Sequence, residues 1–142
     1  MLTLGMPTLI ELPDIEDCAR LCRELGLQFV ELSMCLPQYQ TDRMDIRRLQ
    51  TIADQNGIFY TIHLDDTNTH RHIARLYHMH LHDAIPTDRR DHLPIGEGIL
   101  PIEDYLTLAK AHNCRVVVEV KTISGLHRSI HRLRQYDTFI LQ

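Results

Sequence analysis

Three histidines occupy alternate positions in the segment YHMHLHD, residues 77–83, where they are His78, His80 and His82. Side chains two residues apart lie on the same face of a β-strand, so the three imidazoles would share one face. Imidazole nitrogen is a common ligand of zinc and other divalent ions. Neighbours on that face are about 6.6–6.8 Å apart along the chain. We therefore expect His80 to bind an ion with partners from other strands, and His78 and His82 to be accessory residues.

Three other strand-like segments show the same one-sided polarity. Their polar positions are Glu31 in FVELS, His63 and Asp65 in YTIHLD, and Glu119 and Lys121 in VVVEVK. Parallel α/β folds bind ligands at the carboxyl ends of their strands, so these side chains are predicted to converge on His80. Two interpretations stay open: a functional interior that holds zinc, manganese or a similar divalent ion, or an open sheet whose second face is solvated.

The elements that would position these residues alternate between strand and helix. The predicted helices are PDIEDCARLCRELG, MDIRRLQTIADQNG, PIEDYLTLAKAHN and GLHRSIHRLRQY. The first two end at Gly26 and Gly57, which are typical of left-handed caps. Five predicted strands lie between them, and the stretch AIPTDRRDHLPIGEGIL, residues 84–100, is predicted to be a long loop. The alternation indicates a single α/β domain, residues 1–142, with a parallel sheet.

The composition limits the class of protein. Of the 142 residues, 44% are hydrophobic, and 19 acidic residues exceed 15 basic ones. A net negative charge does not favour binding to nucleic acid or to an anionic membrane. The four cysteines form no CxxC pair, and no apolar run approaches the roughly 20 residues of a membrane helix. We therefore expect a cytoplasmic protein with reduced thiols and with neither a nucleic-acid nor a membrane partner.

The segments HMHLHDA, DHLPIGEG and VVVEVKT follow one another in this order. Together they resemble the C-terminal part of the xylose isomerase-like TIM barrels, a superfamily of sugar-phosphate isomerases and epimerases that includes the endonuclease IV group. LGLQFVELSM and GIFYTIHLDD resemble its second and third strands. The site residues that the resemblance implies are His63, His80, His92 and Glu119 as ligands of a divalent metal (zinc, manganese or magnesium) and Glu31 at the substrate. Gly96 and Gly98 would be turn glycines that present His92, or simply flexible loop positions.

The chain departs from that superfamily in length. A TIM barrel has eight strand–helix units in ~250 residues, whereas five units at most fit here. Residues 1–66 resemble units one to three and residues 76–142 resemble units seven and eight. Since the last barrel strand neighbours the first, the resemblance implies a truncated (β/α) barrel: about five parallel strands, ordered seven, eight, one, two, three, with flanking helices. The central units normally add ligands, so the resemblance predicts a reduced metal site.

Two exposed sheet edges and an open interior would favour association. We expect a homodimer or higher homo-oligomer that completes or covers the partial barrel, with FYTIHL and YHMHLH near the contact. The alternative is a flavodoxin-like sheet with helices on both faces. That arrangement would bury Glu31, His80 and Glu119, which is costly unless the charges are paired.

The leading functional hypothesis is an isomerase or epimerase of a sugar or sugar phosphate that uses a divalent metal. Glu119 would move a proton next to a carbonyl. Lys121 would stabilise a developing oxyanion or bind phosphate, although a solvated strand-end lysine is an equally simple interpretation. The candidates for orienting the histidines by hydrogen bonds are Asp65, His82 and Asp83. The alternative is a catalytically inactive barrel remnant that serves as a binding or assembly module.

Overall fold

A computed structural model describes residues 2–33, 35–39, 43–63 and 77–136 of the chain. Its strands and α-helices, in chain order, are β1 (Thr3–Pro7), α1 (Ile15–Glu24), β2 (Phe29–Ser33), α2 (Ile46–Asn56), β3 (Phe59–His63), β4 (His78–Leu81), β5 (Asp83–Ile85), β6 (Arg90–Leu93), α3 (Ile102–Ala111), β7 (Arg115–Val118) and α4 (Ile123–Gln135). The predicted alternation of strand and helix is confirmed. Among the described residues, no helix is both long and apolar enough to span a membrane.

Five parallel strands form the main sheet in the order β3–β2–β1–β7–β4. The sheet is curled into a half-barrel. This is the order predicted for a truncated barrel, in which the last barrel strand, here β7, pairs with the first. It differs from the order 2-1-3-4-5 of a flavodoxin-like sheet. The fold therefore has a concave face, called the inner face below, and a convex outer face.

The outer face carries the hydrophobic core, as the strand alternation predicts. Aliphatic side chains of the strands pack there against one stripe of each amphipathic helix. The fully or nearly fully buried members include Leu4, Met6, Val30, Leu32, Val116 and Val118 from the strands, and Cys18, Cys22, Leu126, Ile130 and Leu133 from the helices. Asp14 caps α1 by accepting a hydrogen bond from the Glu16 N–H at 3.0 Å. Helices α1 and α4 are therefore fixed to the sheet from one side.

An aromatic floor covers the base of the inner face. The Phe29 ring is completely buried and stacks on Phe59, with ring centroids 5.1 Å apart. It lies over Gly5 of β1, where a Cβ atom would come within 2.4 Å of the ring. Position 5 therefore requires glycine, because any larger residue would displace the Phe29 ring. Glu31, His63 and Glu119 lie beyond this floor, toward the carboxyl ends of the strands, whereas His78 at the start of β4 lies against the Phe29 ring, with centroids 5.8 Å apart.

The prediction of one long loop over residues 84–100 was wrong. β5 and β6 form an antiparallel hairpin there, joined through a short 3₁₀ turn at Pro86–Asp88 and a left-handed residue, Arg89, with φ 54°. Strands of three and four residues are too short for periodicity to reveal. The hairpin places His92 on strand β6, whereas the sequence predicted a loop histidine. It also removes His82 from β4, which ends at Leu81.

Candidate functional site

Glu31 of β2 lies at the centre of the inner face and is only 3% exposed. Its Oε1 is 3.0 Å from His78 Nε2, and its Oε2 is 3.0 Å from His80 Nε2 and 3.5 Å from His63 Nδ1. Burial alone would raise the pKa of this carboxyl, but the hydrogen bonds to His78 and His80 outweigh it and lower the pKa to about 2. Glu31 is therefore a buried anion surrounded by three imidazoles from two edge strands.

His80 of β4 joins this carboxylate to a second one. While its Nε2 faces Glu31, its Nδ1 is 3.1 Å from Oε2 of Glu119. Burial favours the neutral ring, but hydrogen bonds to Glu119 and Glu31 together raise the pKa of His80 to about 9. The protonated ring therefore bridges two carboxylates in the absence of a metal ion. The predicted convergence of Glu31, His80 and Glu119 is thus present in the structure.

Glu119 lies directly after β7 and also faces a second pair of histidines, His82 and His92. Its backbone N–H continues the sheet by donating to the Leu81 carbonyl at 2.9 Å. Its Oε1 is 3.5 Å from His92 Nε2, and the His92 ring stacks on His82 with centroids 4.5 Å apart and planes 12° apart. The hydrogen bond from His80 lowers the pKa of Glu119. This carboxylate is therefore shared by both histidine groups.

His92 has an unusual backbone, with φ of 51°. Non-glycine residues rarely adopt this left-handed region, and such positions often occur at functional sites. On its outer side, Nδ1 is 3.0 Å from Asp91 Oδ1, and Lys121 Nζ donates to the same oxygen at 3.1 Å. The nearby His92 ring and then Lys121 lower the pKa of Asp91 to about 2. Asp91, which the sequence reasoning missed, therefore lies next to His92 and is hydrogen-bonded to Lys121.

Asp83 holds the hairpin and the following loop in place. Its carboxylate accepts hydrogen bonds from the backbone N–H groups of Ala84 at 2.9 Å, Gly96 at 2.9 Å and Leu100 at 3.1 Å. Gly98 must be a glycine, because an added Cβ would lie 2.2 Å from Asp83 Oδ1. The prediction placed this carboxylate on a histidine ring. It binds the loop backbone instead, and the carbonyl oxygen of Asp83 lies 3.0 Å from His82 Nδ1.

A cavity of about 230 Å³ opens beside these residues at the carboxyl ends of β1, β2, β3 and β7. Its wall includes the polar residues Thr8, Glu31, Ser33, His63, His92, Glu119 and Lys121. Ligand sites of drug-sized molecules are roughly 300–1,000 Å³, so this cavity suits a smaller ligand. It lies where ligands bind in parallel α/β folds. A further cavity of about 150 Å³ lies between α1 and α2, and neither Glu31 nor Glu119 lines it.

Among the residues that the structure describes, two groups of three side chains have ligand atoms close enough to hold a metal ion. The first triad is Glu31, His78 and His80, and the second triad is His82, His92 and Glu119; within each, the ligand atoms lie within 4.8 Å of one another. The predicted set of His63, His80, His92 and Glu119 is therefore divided between them, and His63 belongs to neither. His78 and His82 were expected to be accessory residues, but the structure places each in a triad.

The remaining candidates from the sequence are Asp65 and the four cysteines. Asp65, predicted to orient a histidine, lies outside the described residues. All four cysteines are free, and Cys18, Cys22 and Cys114 are buried. Burial raises the pKa of the Cys22 thiol to about 12, so Cys22 is a core residue and neither a nucleophile nor a thiolate ligand. The chemistry of the site rests on imidazoles and carboxylates.

Comparisons of the chain with protein-family models, with curated proteins and with solved structures found no match. The function must therefore be inferred from the geometry of the inner face.

Proposed function

We propose that this protein is a metal-dependent isomerase or epimerase of a small sugar or sugar phosphate. The observation that carries the proposal is the position of the second triad: His92 and Glu119 lie in the wall of a cavity that Lys121 also lines. Two donors of the second triad, His92 and Glu119, and the positive charge of Lys121 thus border one small polar space. The proposed substrate class also draws on the resemblance of the surrounding segments to xylose isomerase-like barrels.

The second triad has the donor chemistry of a catalytic metal site. Two imidazoles and one carboxylate are a common ligand set for zinc, and catalytic zinc sites use three protein ligands and leave a position open. Manganese or magnesium would need additional oxygen ligands from water or substrate. When bound, a divalent ion would polarise a substrate carbonyl or hydroxyl group. His82, His92 and Glu119 would hold it.

The chain's own residues supply the rest of the chemistry. Glu119 is an anion because His80 hydrogen-bonds it, so it can accept a proton from a carbon next to the carbonyl. Lys121, with its Nζ 3.1 Å from Asp91, places a positive charge at the cavity wall, where it would bind a phosphate or a developing oxyanion. Glu31 and Ser33 also line the cavity, where the Glu31 carboxylate would accept hydrogen bonds from substrate hydroxyls and the Ser33 hydroxyl would donate or accept them.

The proposal is tested by metal content and by proton exchange. Purified protein, loaded with Zn²⁺ or Mn²⁺ and then gel-filtered, should retain metal and catalyse deuterium incorporation from D₂O into a ketose, an aldose or one of their phosphates. In His92→Ala, the exchange activity should fall at least tenfold, and the ion held by the second triad should be lost. The matched control is His127→Ala, which removes an exposed histidine of α4 and should change neither. Metal-free protein without exchange activity toward any of these sugars would refute the proposal.

The variant Lys121→Ala distinguishes a sugar phosphate from an unphosphorylated sugar as the substrate. If the lysine binds phosphate, KM for a phosphorylated substrate should rise at least tenfold while KM for the unphosphorylated sugar stays within twofold. An equal loss of kcat for both would instead assign Lys121 to the oxyanion. Arg115→Ala, at the amino end of β7, is the control cation and should affect neither parameter.

A second candidate is a binding or assembly module without catalysis. The observation that favours it is that the histidines around Glu31 and Glu119 suffice to pair with both carboxylates. Within the described ranges, β3 and β4 are the outer strands of the sheet, and a homodimer joined there would cover the inner face. Light scattering that finds a dimer, together with the absence of bound metal, would support this candidate over the enzyme.

A further inference from the structure

We infer that the inner face holds a second divalent ion at the first triad, Glu31, His78 and His80, beside the ion of the second triad. The inference rests on the proposed function in one respect, because it takes the second triad to be a metal site. The first triad lies on different strands and toward the base of the half-barrel, so its occupancy can be measured separately. The sequence reasoning assigned no ion to Glu31 and treated His78 as accessory.

The donor atoms of the first triad are already at coordination spacing. Glu31 Oε1 is 3.0 Å from His78 Nε2 and 3.2 Å from His80 Nε2. Zinc bonds to nitrogen and oxygen are about 2.0–2.2 Å, so neighbouring ligand atoms in a tetrahedral zinc site are roughly 3.3–3.6 Å apart. An ion would therefore need each of these two distances to grow by only a few tenths of an ångström, and all three ligand atoms already lie within 4.8 Å of one another.

The orientation of His80 also suits ligation. Glu119 Oε2 lies 3.1 Å from His80 Nδ1, so that nitrogen can keep its proton and donate it to Glu119. Nε2 then presents its lone pair toward Glu31 and His78. A carboxylate that fixes the outer nitrogen of a ligating histidine is a recurrent feature of protein metal sites, because it sets the tautomer and strengthens the ligand. Glu119 is therefore a positioning residue for the first triad.

The alternative to an ion at this position is a proton. Without metal, a hydrogen bond from His80 to each carboxylate requires both ring nitrogens to be protonated, since an ionised carboxylate only accepts. A divalent ion would replace the Nε2 proton and neutralise Glu31, an anion that is 3% exposed on an inner face floored by Phe29. Burying a carboxylate is favourable only when it is paired or coordinates a metal. The first triad thus supplies a buried carboxylate charge and two imidazole nitrogens, of which His80 Nε2 becomes a ligand when the ion displaces its proton.

The two ions would be coupled through Glu119. One of its oxygens orients His80 of the first triad, and the other lies 3.5 Å from His92 of the second triad. Loss of Glu119 should therefore weaken both sites, whereas loss of His78 or His92 should empty only one. This asymmetry separates a two-ion centre from a single ion that moves between the triads.

The experiment counts metal ions per chain by elemental analysis after loading with Zn²⁺ and gel filtration. Wild type should retain two, and His78→Ala and His92→Ala should each retain one. Glu119→Gln should retain less than one, and His127→Ala, the exposed control, should retain two. Circular dichroism verifies folding, and His78→Gln, which keeps the size of the side chain, replaces His78→Ala if that variant does not fold.

Each outcome has a distinct meaning. One ion in wild type that is lost in His92→Ala but kept in His78→Ala overturns this inference and leaves the proposed function standing. One ion that is lost in His78→Ala but kept in His92→Ala supports the first triad and refutes the proposed function at the second. No retained ion overturns both. One ion that both variants lose indicates a single shared site and overturns the inference.

Discussion

The outer and inner faces of the same five strands are stabilised in different ways. On the outer face, aliphatic residues such as Val116 and Val118 are completely buried under helices. On the inner face, the neighbouring position in the chain is Glu119, which pairs with His80 and faces His92. One face is held by burial of apolar area, which has no direction. The other is held by hydrogen bonds between ionisable groups, which depend on distance, angle and protonation.

This difference indicates that the two faces have different roles, stability for the outer face and binding for the inner face. The outer face needs only apolar residues of suitable size, so it provides stability and tolerates conservative changes. The inner face concentrates the histidines and buried carboxylates, whose positions are coupled to one another. A perturbation of the outer face should therefore change the free energy of unfolding without changing metal binding. A perturbation of the inner face should change metal binding, with a smaller effect on the free energy of unfolding.

The largest expected effect on stability is from the outer face. Leu126 of α4 is fully buried against the sheet, so Leu126→Ala should lower the free energy of unfolding by about 3–4 kcal/mol, as buried leucine truncations do. Urea denaturation measures this loss. Leu108→Ala on α3, where the leucine is 43% exposed, is the control and should cost less than about 1 kcal/mol. If the folded Leu126 variant lost a bound ion, the proposed independence of the two faces would be wrong.

A smaller effect on the free energy of unfolding is expected for the loop that Asp83 holds beside the inner face. Gly98→Ala would push a Cβ into Asp83 and the backbone of Ala84, and overpacking of this kind costs about 1–3 kcal/mol. Because Asp83 holds the loop next to His82 and His92, this variant should also bind Zn²⁺ at least tenfold more weakly by titration calorimetry.

The control for that prediction is Gly57→Ala. Gly57 has a positive φ, 65°, and open space surrounds the position of its missing Cβ. The substitution should cost about 1 kcal/mol of backbone strain and leave the Zn²⁺ affinity unchanged. A similar loss of affinity in both variants would show that general destabilisation, and not the Asp83 contact, is responsible.

The alternation of residues in the sequence was sufficient to predict which side chains form the outer face. Alternation placed the aliphatic residues of β1, β2 and β7 together, and the resemblance to barrel segments gave the strand order that is observed. The same alternation placed Glu31, His80 and Glu119 on the opposite face. These predictions succeeded because a period of two determines the face of every residue in a strand.

The pattern could not predict the grouping on the inner face. Backbone spacing argued against His78 as a ligand, but that reasoning left out the length of the side chains and the curl of the sheet, which bring β4 across to Glu31 on β2. The close approach of the Phe29 ring to Gly5 is likewise a matter of packing that strand alternation does not describe. Contacts between non-neighbouring strands depend on such three-dimensional fit, which no local pattern in the sequence contains.

The smallest expected effect is the pH dependence of the inner face in metal-free protein. Glu31 has its pKa lowered from 4.5 to about 2, so its contribution to stability is present above pH 4.5 and is lost as the pH falls toward 2. His80 has its pKa raised from 6.5 to about 9, so its contribution is present below pH 6.5 and is lost as the pH rises through 9. The combined contribution should therefore be greatest between pH 4.5 and 6.5.

Glu31→Gln isolates this contribution. The difference in free energy of unfolding between wild type and Glu31→Gln, from urea denaturation with a chelator, should be on the order of 1 kcal/mol between pH 4.5 and 6.5 and shrink on both sides. The effect is modest because His78 and His80 are 30% and 25% exposed, so water screens the pairs. Glu24→Gln, an exposed change on α1, is the control and should show no such maximum. A difference that stays constant from pH 3 to 9 would mean that Glu31 contributes through shape alone, and the inner face would then resemble the outer one.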